Sequence, residues 1–211
     1  MRRHRLVVGL LAVVISSPVL AVPITYNFFG IASGSVGGSV FADAPISFLL
    51  TTDTDGVFRP FPTRPNIFAT GNAAINFTFG GTTGTFDGGG NVFVNGGRGA
   101  RSAVGLNPAS GSDLFDVSDL SLETYDLRSA FGPLTAEFPS FLNFGEVFAT
   151  SAGDFVLSDD DDTRLGFRAN LVGAGVIPEP AAWTLMIVGF ALVGAARRRA
   201  RSLPGRRGLN R

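Results

Sequence analysis

The sequence predicts an all-β fold for residues 22–175, an antiparallel β-sandwich or a jelly-roll-like body. Short apolar or alternating runs recur between glycine-rich breaks, and no long stretch shows the period of about 3.6 residues that marks an amphipathic helix. The chain of 211 residues holds 28 glycines and 20 phenylalanines, which suits many short strands joined by tight turns. We therefore expect one domain of roughly ten to twelve short strands.

The strands follow from alternation and from the breaks between runs. In residues 73–79, for example, Ile75, Phe77 and Phe79 share one face. Residues 33–38 and 51–65 predict a turn and a loop, the tripeptide from Asn95 to Gly97 predicts a primed hairpin turn, and residues 126–139 have room for a helical turn. The predicted strands are residues 24–31, 39–42, 46–52, 73–79, 82–86, 91–95, 102–106, 114–117, 120–127, 141–150, 154–157 and 164–172. The phenylalanines expected in the core are Phe77, Phe79, Phe138, Phe141 and Phe144.

The first 21 residues have the layout of a secretory signal peptide. Arg2, Arg3 and Arg5 form a positive start, residues 6–15 form an apolar stretch, and a cleavage site follows Ala21. The apolar stretch is too short for a stable membrane span. We therefore expect a signal helix that directs export and is then removed.

The C-terminal part has three segments in fixed order. Pro178, Glu179 and Pro180 form a tripeptide that resists helix formation and central-strand pairing, because proline fixes φ and lacks an N–H donor. Residues 181–196 carry no charge and, as a helix, span about 24 Å, slightly short of a bilayer core of roughly 30 Å. The arginines that follow keep this end in the cytoplasm and the body outside. We therefore expect a transmembrane helix followed by a basic cytoplasmic tail at residues 202–211.

Residues 176–201 resemble the PEP-CTERM sorting signal of Gram-negative bacteria, in the variant PEPxxWxxMIxGFxxxGxxxRR. The matching residues are Pro178, Glu179, Pro180, Trp183, Met186, Ile187, Gly189, Phe190, Gly194, Arg197, Arg198 and Arg199. The resemblance implies an inner-membrane precursor that is recognised and processed by exosortase, a membrane transpeptidase, and then delivered to the cell surface or the exopolysaccharide matrix. The tail at residues 202–211 runs past the usual end of the signal. An ordinary C-terminal membrane anchor is the alternative interpretation.

Charge is strongly segregated along the chain, although the formal net charge is +0. Arginines cluster at both termini, whereas all 17 acidic residues lie between the two clusters. The body is therefore acidic, which argues against nucleic acid as a partner, because phosphate binding needs a basic surface.

Residue types exclude several kinds of catalysis. The chain has no cysteine, and its only histidine is His4, inside the predicted signal peptide. Ser-His-Asp and Cys-His mechanisms and zinc sites built on cysteine or histidine are therefore excluded. Glu123, Glu137 and Glu146 are possible members of a carboxylate pair, but nothing in their spacing distinguishes such a pair from surface charge. We predict that the protein is not an enzyme.

Two acidic segments raise the question of calcium. Asp159, Asp160, Asp161 and Asp162 form a run of oxygen ligands, but adjacent side chains on an extended chain point in alternate directions, so we favour a solvated turn. The segment from Asp53 to Gly56 opens like a calcium loop but has Arg64 at the position of the closing glutamate. We expect no metal site and no cofactor.

The function expected from these observations is that of an exported structural or adhesive protein of the bacterial surface or extracellular matrix. Its expected partners are exosortase, the inner membrane and exopolysaccharide. Two alternatives remain open for the body: a carbohydrate- or calcium-dependent binding module, and a polysaccharide hydrolase.

Overall fold

The computed structural model describes residues 21–109, 112–136, 141–158 and 163–172, which belong to one compact unit, Ala21–Ala174. The described residues confirm an all-β body. The predicted signal helix and transmembrane helix fall outside them, and within the described ranges no helix is long and apolar enough to cross a membrane. The strands are β1 (Pro23–Val36), β2 (Ser39–Asp53), β3 (Val57–Phe58), β4 (Ile67–Thr70), β5 (Ile75–Phe79), β6 (Thr82–Thr85), β7 (Gly90–Asn95), β8 (Ala103–Pro108), β9 (Phe115–Ser118), β10 (Phe131–Ala136), β11 (Phe141–Leu142), β12 (Phe155–Leu157) and β13 (Arg164–Leu171).

The described strands form two antiparallel sheets that pack face to face. The first has the order β10-β13-β1-β2-β5-β6, with β12 also paired to β1, and the second has the order β11-β9-β8-β7-β4-β3. Rings from both sheets meet between them: Phe28 of β1 and Phe48 of β2 lie 5.1 and 5.2 Å from Phe115 of β9. The body is therefore a β-sandwich, with its core between the inner faces.

The hairpin of β1 and β2 forms the middle of the first sheet. Gly37 and Gly38 connect the two strands with φ values of 57° and 81°, the left-handed conformation that a two-residue primed turn needs. The turn is thus shorter than predicted: most of segment 33–38 belongs to β1, which ends at Val36. A register shift between Ala32 and Gly34 bends the hairpin. Residues 39–53, expected as two strands, are therefore one continuous strand.

Phenylalanine rings fill the interior between the sheets. Phe77 and Phe79 are buried as predicted, whereas Phe144 is 37% exposed and the prediction for it was wrong. Phe138 lies outside the described residues. The phenylalanine core, as we call the central ring cluster, comprises Phe48, Phe77, Phe79, Phe86, Phe148 and Phe155. Its rings meet in tilted or edge-to-face arrangements, which aromatic pairs prefer.

Further segments differ from the sequence-based expectation. Residues 141–150, expected as one strand, begin with the two-residue β11 and continue as a turn with isolated bridges at Phe148 and Thr150. Residues 120–127 hold a short 3₁₀ helix, Leu120–Leu122, instead of a strand, because the Asp119 side chain accepts a hydrogen bond from Ser121 N and starts a turn. The expected loop at residues 51–65 contains the end of β2 and all of β3. Of the segment expected to hold a helical turn, the described part, residues 126–136, contains β10 instead.

The first and last strands of the described unit are neighbours. β1 pairs with β13 from Ile24 opposite Leu171 to Ile31 opposite Arg164, and Val172 N donates to Pro23 O at 2.7 Å. On its other side β13 pairs with β10. The chain therefore enters and leaves the sandwich at adjacent positions.

Candidate functional site

The residues predicted to carry the sorting function lie outside the described residues. They are Pro178, Glu179, Pro180, Trp183, Gly189, Gly194, Arg197, Arg198 and Arg199, and the acidic run Asp159, Asp160, Asp161 and Asp162 also lies outside. The structure bears on neither prediction. Among the described residues, candidate sites therefore belong to the β-sandwich.

The two described glutamates considered for a carboxylate pair lie in different loops of the sandwich. Glu123 is exposed in the loop after β9, Glu146 accepts a hydrogen bond from Asn143 Nδ2, and Glu137 lies outside the described residues. The segment from Asp53 to Gly56 forms the end of β2 and a 3₁₀ turn, Thr54–Gly56. Within the described ranges, no three acidic or histidine side chains gather as a metal site.

One carboxylate of the outer face of the second sheet has an unusual environment. Asp116 on β9 is in register with Gly105 on β8, where an added Cβ would lie only 2.1 Å from the Asp116 Oδ1 atom. The glycine therefore gives this carboxylate room to lie against the sheet. Burial, followed by the charge of Asp113, raises the pKa of Asp116 to about 7, and burial also raises the pKa of Asp113. The sequence carried no signal for this, because the cause is tertiary burial.

A surface groove at the loops between the strands is the second notable feature. We call it the arginine groove; its volume is about 290 Å³, and it is lined by Arg64, Asn66, Ile67, Asn95, Gly96 and Arg98. Arg64 and Asn66 come from the β3–β4 loop (residues 59–66), whereas Gly96 and Arg98 come from the β7–β8 loop (residues 96–102). Residues far apart in the chain therefore form one open, polar depression.

Glycines bring the loops close enough to form the groove. Gly96 N donates to Asn66 O at 2.8 Å, and Gly97 N donates to Glu123 O at 3.0 Å. An added Cβ on Gly96 would lie 2.7 Å from Glu123 O, and one on Gly97 would lie 2.2 Å from Asn66 Nδ2. Gly96 therefore has no room for a side chain against this backbone, whereas a side chain at Gly97, whose φ is 71°, would have to displace that of Asn66. The segment expected to be a two-residue hairpin turn is therefore a longer loop, whose glycines serve close backbone approach.

The two arginines of the groove stand on backbone that is hydrogen-bonded on both sides. Arg64 N donates to Phe61 O at 3.0 Å, and Arg64 O accepts from Ile67 N at 3.2 Å. Arg98 N donates to the buried Ser102 Oγ at 3.1 Å, and Arg98 O accepts from Arg101 N at 3.2 Å. These bonds fix where each side chain starts, which reduces the entropy that ligand binding must remove.

Arginines are concentrated in the loops around the groove. Those in residues 59–66, 96–102 and 119–130 are Arg59, Arg64, Arg98, Arg101 and Arg128. Arg59 and Arg128 lie over the Phe68 ring, at 5.1 and 6.0 Å from its centroid, and so cover one end of the core. Among the described residues, neither Arg64 nor Arg98 forms an ion pair with a carboxylate.

The carboxylates of the neighbouring loop are engaged locally. Asp119 accepts hydrogen bonds from the backbone and the side chain of Ser121, and Asp126 accepts one from Arg128 N. The loops around the groove therefore carry more arginines than carboxylates, and Asp119 and Asp126 are held within their own turns, whereas Glu123 is exposed. Comparison of the chain with protein-family models, with curated proteins and with solved structures finds no match.

Proposed function

We propose that this chain is an exported bacterial protein that exosortase sorts and processes through the PEP-type signal at residues 176–201, and that its β-sandwich acts outside the cell as a structural or adhesive module. The observation that carries the proposal is the fixed order of Pro178, Glu179 and Pro180, the uncharged segment at residues 181–196, and the arginines from Arg197 onward. The signal-peptide layout of the first 21 residues supports the direction of export.

The body is consistent with a non-catalytic role. Its phenylalanine core and two sheets make a self-contained sandwich, as expected for a module that must fold without disulfides, since the chain has no cysteine. The chain also enters and leaves this sandwich at adjacent positions, through Pro23 and Val172. This suits a module carried between an N-terminal export signal and a C-terminal sorting signal.

Intact mass and cellular location test the proposal together. In a Gram-negative host with exosortase, we expect a mature protein that lacks residues 1–21 and the C-terminal signal and that is found outside the inner membrane. In the same host without exosortase, we expect a larger form that keeps the C-terminal signal and stays in the inner membrane.

Proline variants sharpen this test. Replacing both Pro178 and Pro180 by alanine should block processing in the complete host, whereas Pro204→Ala, in the tail, serves as the matched control and should leave processing intact. The same mass and location with and without exosortase would refute the proposal.

A further inference from the structure

We propose that the arginine groove binds an acidic polysaccharide through its carboxylate groups. The proposal extends the function proposed above by naming a partner for the exported body. It rests on that function only in assuming that the body meets the polysaccharide outside the cell. The groove itself consists of described residues of the sandwich.

The cationic groups of the groove suit carboxylates. Arg64 and Arg98 each present a planar guanidinium, whose parallel N–H groups match the two oxygens of a carboxylate. They stand on separate loops that the backbone hydrogen bond from Gly96 N to Asn66 O joins. A ligand with repeated carboxylates can therefore engage both arginines while they stay on fixed backbone.

The remaining lining suits a sugar. Asn66 and Asn95 each offer an amide donor and a carbonyl acceptor, which complement hydroxyl groups. Ile67 and Pro65 add apolar surface to the same groove. Beside it, the Phe61 ring is 51% exposed, with the Arg64 guanidinium 5.7 Å from its centroid. Neutral polar groups next to cations and apolar patches match a ring that carries hydroxyls as well as a carboxylate.

The negative charge of the body limits the kind of polyanion that can bind. All 17 acidic residues lie outside the arginine-rich termini, so the body repels long polymers of high charge density. Nucleic acid is therefore a poor fit. An acidic glycan, whose charges are diluted by neutral hydroxyls, avoids much of this repulsion.

Calorimetric titration of the full-length chain in non-ionic detergent with oligogalacturonate tests the proposal. We expect saturable binding that weakens as salt increases, because exposed charges are screened. Arg64→Gln and Arg98→Gln should each weaken binding about tenfold, the scale of one lost charge-assisted contact. Arg64→Lys should have an intermediate effect, since lysine keeps the charge but loses the planar fork.

Arg101→Gln is the matched control, because Arg101 is exposed in the same loop but does not line the groove. It should change the affinity by less than about twofold, and a thermal melt of each variant should show an unchanged fold. Equal affinities of the Arg64→Gln and Arg101→Gln variants, whether both weakened or both unchanged, would place the binding on non-specific charge or on the arginine-rich termini and would overturn the proposal.

Comparison polymers define the ligand class. Neutral dextran should not bind. If polyglutamate binds more tightly than oligogalacturonate, the ligand is an acidic peptide and not a glycan. If dextran sulfate binds and oligogalacturonate does not, the groove does not recognise carboxylates. The titration uses the full-length chain, so its result does not depend on whether exosortase processes the protein in cells. The two proposals can therefore fail independently.

Discussion

The phenylalanine core and the arginine groove are held together by different forces. In the core, Phe155 contacts the rings of other phenylalanines from several strands and is fully buried. In the groove, Arg64 and Arg98 are largely exposed, and the loops that carry them are joined by backbone hydrogen bonds and by the close approach of Gly96. Close packing of apolar side chains stabilises the phenylalanine core. The arginine groove instead depends on the absence of a side chain at Gly96, which lets the loops approach each other.

This difference indicates which substitutions each region tolerates. A core residue is sensitive to loss of volume, because neighbouring rings cannot fully close a cavity. A glycine at a loop junction is sensitive to gain of volume, because a Cβ would separate hydrogen-bonded backbones. Stability should therefore respond to truncation in the core and to methyl addition at the groove.

The largest expected effect is that of Phe155→Ala. Its ring lies 5.3 Å from the Phe86 ring and 5.4 Å from the Phe77 ring, so truncation removes several aromatic contacts and leaves a cavity. We expect the free energy of unfolding to fall by about 4 kcal/mol in urea denaturation. Phe144→Ala, at an exposed position, is the control and should cost less than about 1 kcal/mol. Similar losses at both positions would contradict the assigned core.

The next effect is that of Gly96→Ala. The added Cβ would lie 2.7 Å from Glu123 O, so the loops must separate, and we expect a loss of about 2 kcal/mol together with weaker oligogalacturonate binding. Gly99→Ala is the control in the same loop: Gly99 has a φ of 61° but open space around it, so only backbone strain of about 1 kcal/mol is expected. Unchanged oligogalacturonate binding by the Gly96→Ala variant would show that ligand binding does not depend on the close approach of the two loops at Gly96.

An effect of at most similar size, which depends on pH, is expected for Asp116→Asn. Because the folded pKa is about 7 and the ordinary value is 3.8, the folded state holds a proton that the unfolded chain releases, so stability falls as pH rises from about 4 to 7. The asparagine variant lacks this cost. Its stability relative to the parent protein should rise over that range and level off above it, with a gain on the order of 2 kcal/mol by pH 8, allowing for partial exposure.

Asp119→Asn provides the opposite sign. Hydrogen bonds from the Ser121 side chain and backbone lower the pKa of Asp119, so its contribution is present above the ordinary pKa and is lost as pH falls. Urea denaturation between pH 2 and 8 checks both variants, because the contribution of Asp119 is lost only below its ordinary pKa of 3.8. A pH-independent difference between the parent protein and Asp116→Asn would refute the buried-carboxylate assignment.

The parts of the fold that the sequence predicts are those governed by local alternation. Ile75, Phe77 and Phe79 alternate with polar residues and do form a strand with a buried face. The pattern fails where a local hydrogen bond competes: residues 120–127 alternate, yet the capping side chain of Asp119 starts a 3₁₀ turn, and Leu120 is left 58% exposed. The sequence did not predict the short strands β3 and β4, because two to four residues are too few to show an alternating pattern.

The arginine groove was beyond sequence reasoning for a different reason. Arg64 and Arg98 belong to separate loops, and only the register of β4 against β7 brings those loops side by side. Gly96 and Gly97 were interpreted as a hairpin turn, because glycine pairs most often signal φ preference. Their role in close backbone approach depends on Asn66 and Glu123, which only the folded structure places next to them.

The position of β13 has a mechanical consequence. While the precursor is held in the inner membrane through its C-terminal segment, as proposed, a load on the body enters the sandwich at Val172 and runs along β13. This strand is hydrogen-bonded to β1 on one side and to β10 on the other, with the β1 register extending from Ile24 to Ile31. A pull along the strand therefore loads these bonds in shear, many at once, rather than peeling them one at a time. Such an arrangement resists extraction of β13 when the load acts on the body of the sandwich, whereas a pull on the neighbouring Pro23 end would peel β1 from β13.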